Sequence, residues 1–199
     1  MIKAVIFDWG GVLIDNPADG LRHFCAKKLG VESDTFTKEY SKYEPDFQIG
    51  VLSEEELWKK ICADLGIIPK GMLWLNAVRS TFTLKKEIVE MIKELRLNHY
   101  KIGFLSNTEL PAREYFFEQC WDTLFDALVF SCVEGTLKPE KKIYQIALEK
   151  LEVQPEEAIF IDDKKSYIDG AKSIGMKGIV FLNPEQVKKE LICLGVKLA

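Results

Sequence analysis

The sequence has few features that would place the chain outside the ordinary globular proteins. It has no apolar run near the roughly 18 residues that a membrane-spanning helix needs, and its five cysteines form no C-x-x-C pair. Its 27 lysine and arginine residues do not outnumber its 31 aspartate and glutamate residues, and the net charge is −4. Because nucleic acids and anionic membranes call for a basic surface, we expect neither as a partner.

Cysteine usage and the amino terminus predict a cytoplasmic protein. The cysteines are odd in number and widely spaced, which favours small core residues of a reduced protein over disulfides or metal ligands. They are Cys25, Cys62, Cys120, Cys132 and Cys193. A predicted strand begins at residue 2 and leaves no room for a signal peptide. With 199 residues, 47% of them hydrophobic, the chain is large enough for one substantial core and a smaller additional unit.

Short apolar runs alternate with segments of helical period over much of the chain. Helices are predicted behind Pro139 and Pro184, because proline suits a first helical turn. Strand–helix alternation implies a Rossmann-like α/β architecture, a parallel sheet with helices on both faces. The five predicted strands are 2–7, 101–106, 127–131, 158–162 and 178–182.

Residues 16–84 interrupt this alternation, since they contain several helical patterns and no convincing strand. The clearest helix opens with a capping box at Ser53 and ends at Gly66. The weakest pattern, around 70–82, includes Met72. An ordinary crossover is one interpretation, but four predicted helices are too many for one crossover. We therefore expect an inserted helical-bundle cap at 16–84 and an α/β core formed by residues 1–15 and 85–199.

Polar side chains stand where the predicted strands end. Each of them has an ordinary interpretation as a turn or helix-capping residue. Because the carboxyl ends of parallel strands share one edge of a sheet, however, all of them are expected to converge there. The adjacent carboxylates also repel, which indicates a cation nearby. The residues are Asp8, Ser106, Asn107, Lys138, Asp162 and Asp163.

Phosphoryl transfer is the chemistry that fits this set. A carboxylate such as Asp8 can attack phosphorus and form an acyl phosphate. Magnesium prefers oxygen ligands, and Asp8, a backbone carbonyl and Asp163 would supply them. Ser106 and the backbone N–H groups after it would hold phosphate oxygens, and Lys138 would add a positive charge on the other side.

The same residues occur in segments that resemble, in order, the four motifs of the haloacid dehalogenase superfamily. The D-x-G form of the first motif is similar to a branch of helical-cap phosphatases. That branch includes sugar-1-phosphate phosphatases and relatives of the amino-terminal domain of soluble epoxide hydrolase. The matching segments are Phe7-Asp8-Trp9-Gly10-Gly11-Val12-Leu13, Leu105-Ser106-Asn107-Thr108, Lys138-Pro139 and Ile161-Asp162-Asp163.

The resemblance implies a Mg²⁺-dependent phosphatase acting on a small phosphorylated metabolite. Asp8 would be the nucleophile and a metal ligand, with Asp163 as the main second ligand and Asp162 as a nearer or outer-sphere partner. The Gly10 carbonyl would also bind the metal. Ser106 and Lys138 would take part in catalysis. The phosphate-binding residues would be Trp9, Gly10, Ser106, Asn107 and Lys138.

One departure from the family pattern concerns catalysis directly. Phosphatases of this superfamily usually carry a second aspartate two residues after the nucleophile, as a general acid and base, and here that position is Gly10. Such a group contributes about 10²–10⁴-fold in rate. Three interpretations follow. The chain is a phosphatase for esters with good leaving groups, or one of Asp15, Asp19 and Asp46 replaces the missing proton donor. In the third interpretation the site binds phosphate without turnover. We favour catalysis. Tyr167, where relatives often have asparagine, is interpreted as helix packing.

Two other functions compete with the phosphatase. A haloacid dehalogenase would need Asp8 but no metal, and the acidic pair and Gly10 both point away from that branch. A non-catalytic phosphate-binding or regulatory protein would keep the fold after losing the acid. The predicted cap favours a small diffusible substrate over a phosphoprotein, because a closed lid excludes a large surface.

Overall fold

The computed structural model describes residues 1–198 and contains a five-stranded sheet in which every neighbouring pair is parallel. The strand order is β3-β2-β1-β4-β5, with β1 in the centre. The predicted parallel sheet is therefore confirmed: two strands have the predicted bounds, and the other three are shifted at one or both ends by one or two residues. The strands are β1 (Ala4–Phe7), β2 (Lys101–Ser106), β3 (Ala127–Phe130), β4 (Ala158–Asp162) and β5 (Lys177–Val180).

Eleven α-helices are found in residues 1–198, five of them between β1 and β2 before the helix that leads into β2. These five, α1 to α5, are called the helical segment below. The helices are α1 (Ala18–Leu29), α2 (Ser33–Ser41), α3 (Glu44–Gln48), α4 (Glu54–Leu65), α5 (Trp74–Thr81), α6 (Lys86–Leu97), α7 (Leu110–Glu118), α8 (Ser131–Glu134), α9 (Lys141–Leu151), α10 (Lys165–Lys172) and α11 (Pro184–Cys193). None of them is long and apolar enough to cross a membrane.

Strand β1 is buried on both faces, which explains its unbroken apolar sequence. Ala4 and Ile6 belong to the apolar cluster that includes α9 and α10. Val5 and Phe7 belong to a larger cluster that includes α6, α11 and the helical segment. The sheet is thus covered by helices on both faces, as the alternation predicts.

The helical segment is bounded by strong local signals. The capping box at Ser53 is formed, with the Ser53 side chain accepting the Glu56 N–H and the Glu56 carboxylate accepting the Ser53 N–H. Gly30 and Gly66 end α1 and α4 in the left-handed conformation. The segment has five helices where four were predicted, because the stretch after α2 forms the separate short helix α3.

Two sequence predictions about local structure are corrected, and one helix was not predicted. Pro139 does not open α9, which starts at Lys141, because the Asn107 side chain binds the Lys138 backbone and holds this part of the chain outside the helix. The weak pattern around 70–82 becomes α5, which buries Trp74, Ala77 and Val78, while Met72 lies before the helix and is exposed. Helix α8 follows β3 directly and was not predicted.

The cysteine prediction holds for three residues and is wrong for two. Cys25, Cys62 and Cys132 are buried, whereas Cys120 and Cys193 are exposed. All five thiols are free. Cys120 lies two residues after the end of α7, and Cys193 is the last residue of α11.

Candidate active site

The predicted site residues meet at the carboxyl edge of the sheet. Asp8 follows β1, Ser106 is the last residue of β2, and Asp162 is the last residue of β4. Lys138 lies on the loop before α9, and its Nζ is 2.7 Å from Asp8 Oδ1 and 2.6 Å from Asp162 Oδ2. The structure therefore brings together residues that are up to 154 positions apart (8 to 162) in the chain.

Lys138 is a buried cation held from several sides. Burial opposes its charge, but Asp8 and Asp162 outweigh this effect and raise the pKa of Lys138 above its ordinary value. Its Nζ also donates a hydrogen bond to the Leu105 carbonyl oxygen at 3.3 Å. The ammonium group is therefore fixed in position as well as in charge.

Three carboxylates surround this single ammonium group. Asp8, Asp162 and Asp163 each place an oxygen atom within 4.8 Å of the others. Burial, followed by repulsion from Asp162, raises the pKa of Asp8 to about 7 despite the opposing effect of Lys138. Burial and Asp8 raise the pKa of Asp163. The cluster thus has more negative charge than Lys138 neutralises.

The oxygen atoms of this cluster fit a hard divalent cation. Both oxygens of Asp162 are engaged, Oδ2 by Lys138 and Oδ1 by the Lys164 N–H at 2.8 Å. Asp163 Oδ1, in contrast, is buried and has no hydrogen-bond partner among residues 1–198. A set of carboxylate oxygens is the donor set that Mg²⁺ prefers. Asp8 and Asp163 are the carboxylates with the capacity to hold it.

Gly11 makes room for Asp163. Its φ is +86°, and a Cβ atom built there would lie 2.4 Å from Asp163 Oδ2. Glycine is thus required twice at this position, for the backbone conformation and for the close approach of the carboxylate.

The loop after β2 is held by hydrogen bonds before any substrate arrives. Ser106 Oγ lies 3.2 Å from Thr108 Oγ1, and the Thr108 N–H donates to Ser131 Oγ at 2.8 Å. The Asn107 side chain donates to the Lys138 carbonyl oxygen at 3.1 Å and accepts the Lys138 N–H at 2.8 Å. Because that side chain positions Lys138, a phosphate contact of Asn107 depends on its backbone N–H.

Trp9 and Gly10 line the same site. The Trp9 ring packs edge-on against Phe82 at a centroid distance of 4.8 Å and against Phe104 at 5.6 Å, and its buried Nε1 has no hydrogen-bond partner among residues 1–198. Gly10 has no side chain, so its predicted role in phosphate binding depends on the backbone. A Cβ atom at Gly10 would lie 3.1 Å from Pro17 Cδ, so Pro17 fills the space beside this glycine.

A cavity of about 430 Å³ opens over these residues, and the helical segment forms its opposite wall. Neither Asp15 nor Asp19 nor Asp46, the three predicted proton donors, is among its lining residues. All three are exposed, and Asp15 pairs with Lys85 at 3.2 Å. The wall opposite Asp8 includes Arg22, Tyr40, Glu44, Gln48, Trp74 and Glu109.

Tyr167 and Glu109 are two of the cavity residues that were not predicted as site residues. Tyr167, which was interpreted as helix packing, lines the cavity; its hydroxyl accepts a hydrogen bond from Asn107 Nδ2 at 3.4 Å, and its ring lies 5.0 Å from Lys138 Nζ. Its position one helical turn after Asp163 was an available signal. Glu109 also lines the cavity, three residues after Ser106, and its burial was not readable from the sequence.

Comparison with known families agrees with this geometry. A profile of haloacid dehalogenase-like hydrolases matches residues 2–175. The chain belongs to this family of hydrolases. The match runs from β1 to the end of α10 and so includes every predicted site residue.

Relatives of this haloacid dehalogenase-like hydrolase include proteins of very different length. It is 28% identical over 186 residues to the sesquiterpene phosphatase AstK of Aspergillus oryzae, covering 89% of the chain and 88% of the relative. It is 29% identical over 203 residues to acyl-CoA dehydrogenase family member 10 of Mus musculus, covering 96% of the chain. The hydrolase spans only 19% of that mouse protein.

Solved structures show the same fold. A HAD-like family hydrolase from Porphyromonas gingivalis superposes with a TM-score of 0.81 at 25% identity, covering 96% of this chain and 98% of that one. A HAD family enzyme from Bacteroides thetaiotaomicron, solved with magnesium and inorganic phosphate, has a TM-score of 0.74 at 20% identity, covering 90% and 93%.

Proposed function

We propose that this hydrolase is a Mg²⁺-dependent phosphatase of small phosphorylated metabolites that acts through an aspartyl-phosphate at Asp8. The observation that carries the proposal is the charged cluster of Asp8, Asp162, Asp163 and Lys138, called the floor below, of which Asp8 and Lys138 line the cavity. There a carboxylate is held 2.7 Å from a buried ammonium, beside a buried carboxylate oxygen that has no partner. This arrangement supplies a nucleophile and charges of both signs at one point.

Asp8, Asp163 and the Gly10 carbonyl would hold the magnesium ion. When bound, the ion would neutralise the repulsion between the Asp8 carboxylate and the phosphate oxygens. The enzyme from Bacteroides thetaiotaomicron was solved with magnesium and phosphate, which supports this choice of cation. Asp162 has both oxygens engaged, so its part is to hold Lys138 in place.

The reaction takes place in two displacements. A carboxylate oxygen of Asp8 attacks phosphorus, the bond from phosphorus to the organic oxygen breaks, and that oxygen leaves with a proton from water. Water then attacks the phosphorus of the acyl phosphate, which releases inorganic phosphate and restores the Asp8 carboxylate. Ser106 and Lys138 contact the phosphate oxygens throughout and stabilise the charge that develops on them.

The absence of a side chain at Gly10 shapes the substrate range. Because no aspartate donates a proton from that position, esters whose oxygen leaves easily are favoured over alkyl esters. The cavity size and the phosphatase among the relatives support a small organic group. We further propose that residues 16–84 act as the cap that closes over it, and that residues 1–15 and 85–199 form the core.

A phosphatase screen with and without Mg²⁺ tests this function. We expect Mg²⁺-dependent release of phosphate, fastest from acetyl phosphate and aryl phosphates, and a loss of about 10³-fold or more in kcat for Asp8→Asn because the nucleophile is gone. Asp34→Asn, at an exposed carboxylate on α2, is the matched control and should keep full activity. Release that survives in Asp8→Asn would contradict the mechanism.

A non-catalytic phosphate-binding protein is the second candidate, and Gly10 is the observation that favours it. In that case Mg²⁺ and vanadate would bind to the wild-type protein, while no phosphate ester would be hydrolysed. The excess negative charge of the floor disfavours a haloacid dehalogenase. Dehalogenation uses no metal ion, so no cation would neutralise that charge.

A further inference from the structure

Glu109 is a buried carboxylate that the proposed mechanism does not use. It lies three residues after Ser106, caps the start of α7, and is only 7% exposed. The other fully buried carboxylates, Asp8 and Asp162, both pair with Lys138. Glu109 has no lysine, arginine or histidine within ion-pair distance among residues 1–198. Arg22, the cation among the cavity residues of this wall, is instead directed at Glu44, at 3.5 Å.

The side-chain donors to Glu109 all come from the helical segment, and their three hydrogen bonds are all long. Tyr40 Oη and Gln48 Nε2 donate to Oε1 at 3.3 Å each, and Trp74 Nε1 donates to Oε2 at 3.3 Å. Charge-assisted hydrogen bonds are usually about 2.7–2.9 Å. The carboxylate is thus weakly solvated by neutral donors, and Oε2 has capacity for another donor.

The position of Glu109 exposes it to the organic part of a substrate. It lines the same cavity as Asp8 and Ser106, together with Tyr40, Gln48 and Trp74. With a phosphate at the floor, the organic group would extend into the remaining cavity volume, which Glu109 lines. An unpaired carboxylate there attracts O–H and N–H donors and repels a second anion.

We propose that Glu109 is a specificity-determining residue that selects phosphate monoesters whose organic part carries hydroxyl or amino groups and rejects those carrying a second anionic group. This inference rests on the proposed phosphatase function. It assigns Glu109 to the substrate's organic group, whereas the floor recognises the phosphate. Bisphosphates and phosphorylated carboxylic acids are therefore poor ligands.

A pair of probes that differ at one carbon atom tests the inference. Glycerol 3-phosphate carries a CH₂OH group where 3-phosphoglycerate carries a carboxylate. Their dissociation constants are measured by calorimetry with Mg²⁺ on the Asp8→Asn protein, in which the loss of the nucleophile is expected to slow turnover by about 10³-fold or more. We expect glycerol 3-phosphate to bind at least ~10-fold more tightly, and Glu109→Gln in the same background to reduce the ratio to about threefold or less.

Controls separate charge selection from a structural role. The amide oxygen of glutamine can accept the Tyr40 and Gln48 hydrogen bonds, whereas its NH₂ group cannot accept the one from Trp74, so Glu109→Gln removes the charge and keeps two of the three side-chain hydrogen bonds. Glu109→Asp keeps the charge and should keep the preference, and Glu114→Gln, exposed on the same helix, should leave the ratio unchanged. If Glu109→Gln fails to fold, as judged by circular dichroism, two measurements still test the inference. They are the ratio of the two dissociation constants in the Asp8→Asn protein and the same ratio after Glu109→Asp.

The outcomes for the inference and for the proposed function are distinguishable. Equal binding of the two probes, or a ratio that survives Glu109→Gln, overturns the role of Glu109 even if the wild-type protein hydrolyses phosphate esters. Absence of hydrolysis by the wild-type protein overturns the phosphatase function, while the binding ratio still reports on Glu109.

Discussion

The floor and the wall of the cavity hold their carboxylates in opposite ways. On the floor, Asp8 and Asp162 lie 2.7 Å and 2.6 Å from Lys138, so their charges are paired before a substrate binds. On the wall, Glu109 has only neutral donors at 3.3 Å. The two regions would therefore recognise different parts of a substrate. The phosphate, which all substrates share, would bind to charges that are already paired. The organic group, which differs between substrates, would contact a carboxylate whose charge is not compensated.

Among the variants at Lys138, Gly11 and Glu109, the one that removes the Lys138 charge from the floor should change activity and stability the most. Lys138→Met keeps the apolar stem but leaves Asp8 and Asp162 without their counter-ion. We expect kcat to fall by about 10²–10³-fold because a fixed positive charge at the phosphate is lost. Breaking a buried ion pair should also lower the free energy of unfolding by roughly 3–5 kcal/mol. Phosphate-release kinetics and urea unfolding measure the two effects.

The matched control for Lys138 is an exposed lysine. Lys93→Met, on α6, removes a side chain that pairs with Glu90 at the surface, and such pairs contribute about 0–1 kcal/mol. Its activity and unfolding midpoint should stay at the wild-type values. An equal loss in both variants would mean that Lys138 has no special part in the floor.

A smaller effect on activity is expected when the space beside the Asp163 carboxylate is reduced. In Gly11→Ala the new Cβ atom meets the Asp163 carboxylate, so the one carboxylate with an unpartnered buried oxygen must move. We expect the Mg²⁺ concentration needed for half-maximal activity to rise by about 10–100-fold. Phosphate release titrated with MgCl₂ gives this value directly.

Gly30→Ala shows what backbone strain alone does. Gly30 has a φ of +79°, close to that of Gly11, but nothing lies within 4 Å of its Cβ position. It should lose the roughly 1–2 kcal/mol that a left-handed conformation costs other residues and keep the wild-type Mg²⁺ dependence. A shift in Mg²⁺ dependence in both variants would show that strain, and not the displacement of Asp163, is responsible.

The same contrast explains which part of the site was predictable from the sequence. Each floor residue directly follows an apolar run or precedes a helix, and parallel pairing of the strands then forces these ends to one edge. Glu109 lies equally close to a strand end, but its burial is produced by Tyr40 and Trp74, which are 69 and 35 residues away in the chain. How the helical segment packs against the core depends on long-range contacts that no local pattern reports.

The aromatic residues show the same limit at the level of the core. Because large aromatic side chains are usually buried, the sequence predicts that most of the four tryptophans lie in the core. Trp9, Trp58 and Trp74 are buried, while Trp121 is half-buried. It does not predict that Trp9 and Trp74 belong to one continuous apolar cluster that joins the sheet to the helical segment. Periodicity identifies the buried face of an element but not the element that covers it.

The smallest expected effect concerns the stability of the wall. Burial raises the pKa of Glu109 above its ordinary value, so the folded protein binds the Glu109 proton more tightly than the unfolded chain does. The contribution of this residue to stability is therefore fully present below the ordinary glutamate pKa and is lost as the pH rises through the raised value.

Glu109→Gln does not titrate, and its melting temperature should exceed that of the wild-type protein by an amount that grows from acidic to neutral pH. Thermal unfolding of both proteins between pH 4 and pH 8, with Glu114→Gln as control, measures the difference; a constant or negative difference would mean that the Glu109 charge is compensated inside the fold. A positive difference that grows with pH would show that the uncompensated charge of Glu109 lowers the stability of the fold. Such a loss is expected where a carboxylate is kept unpaired for contact with a substrate.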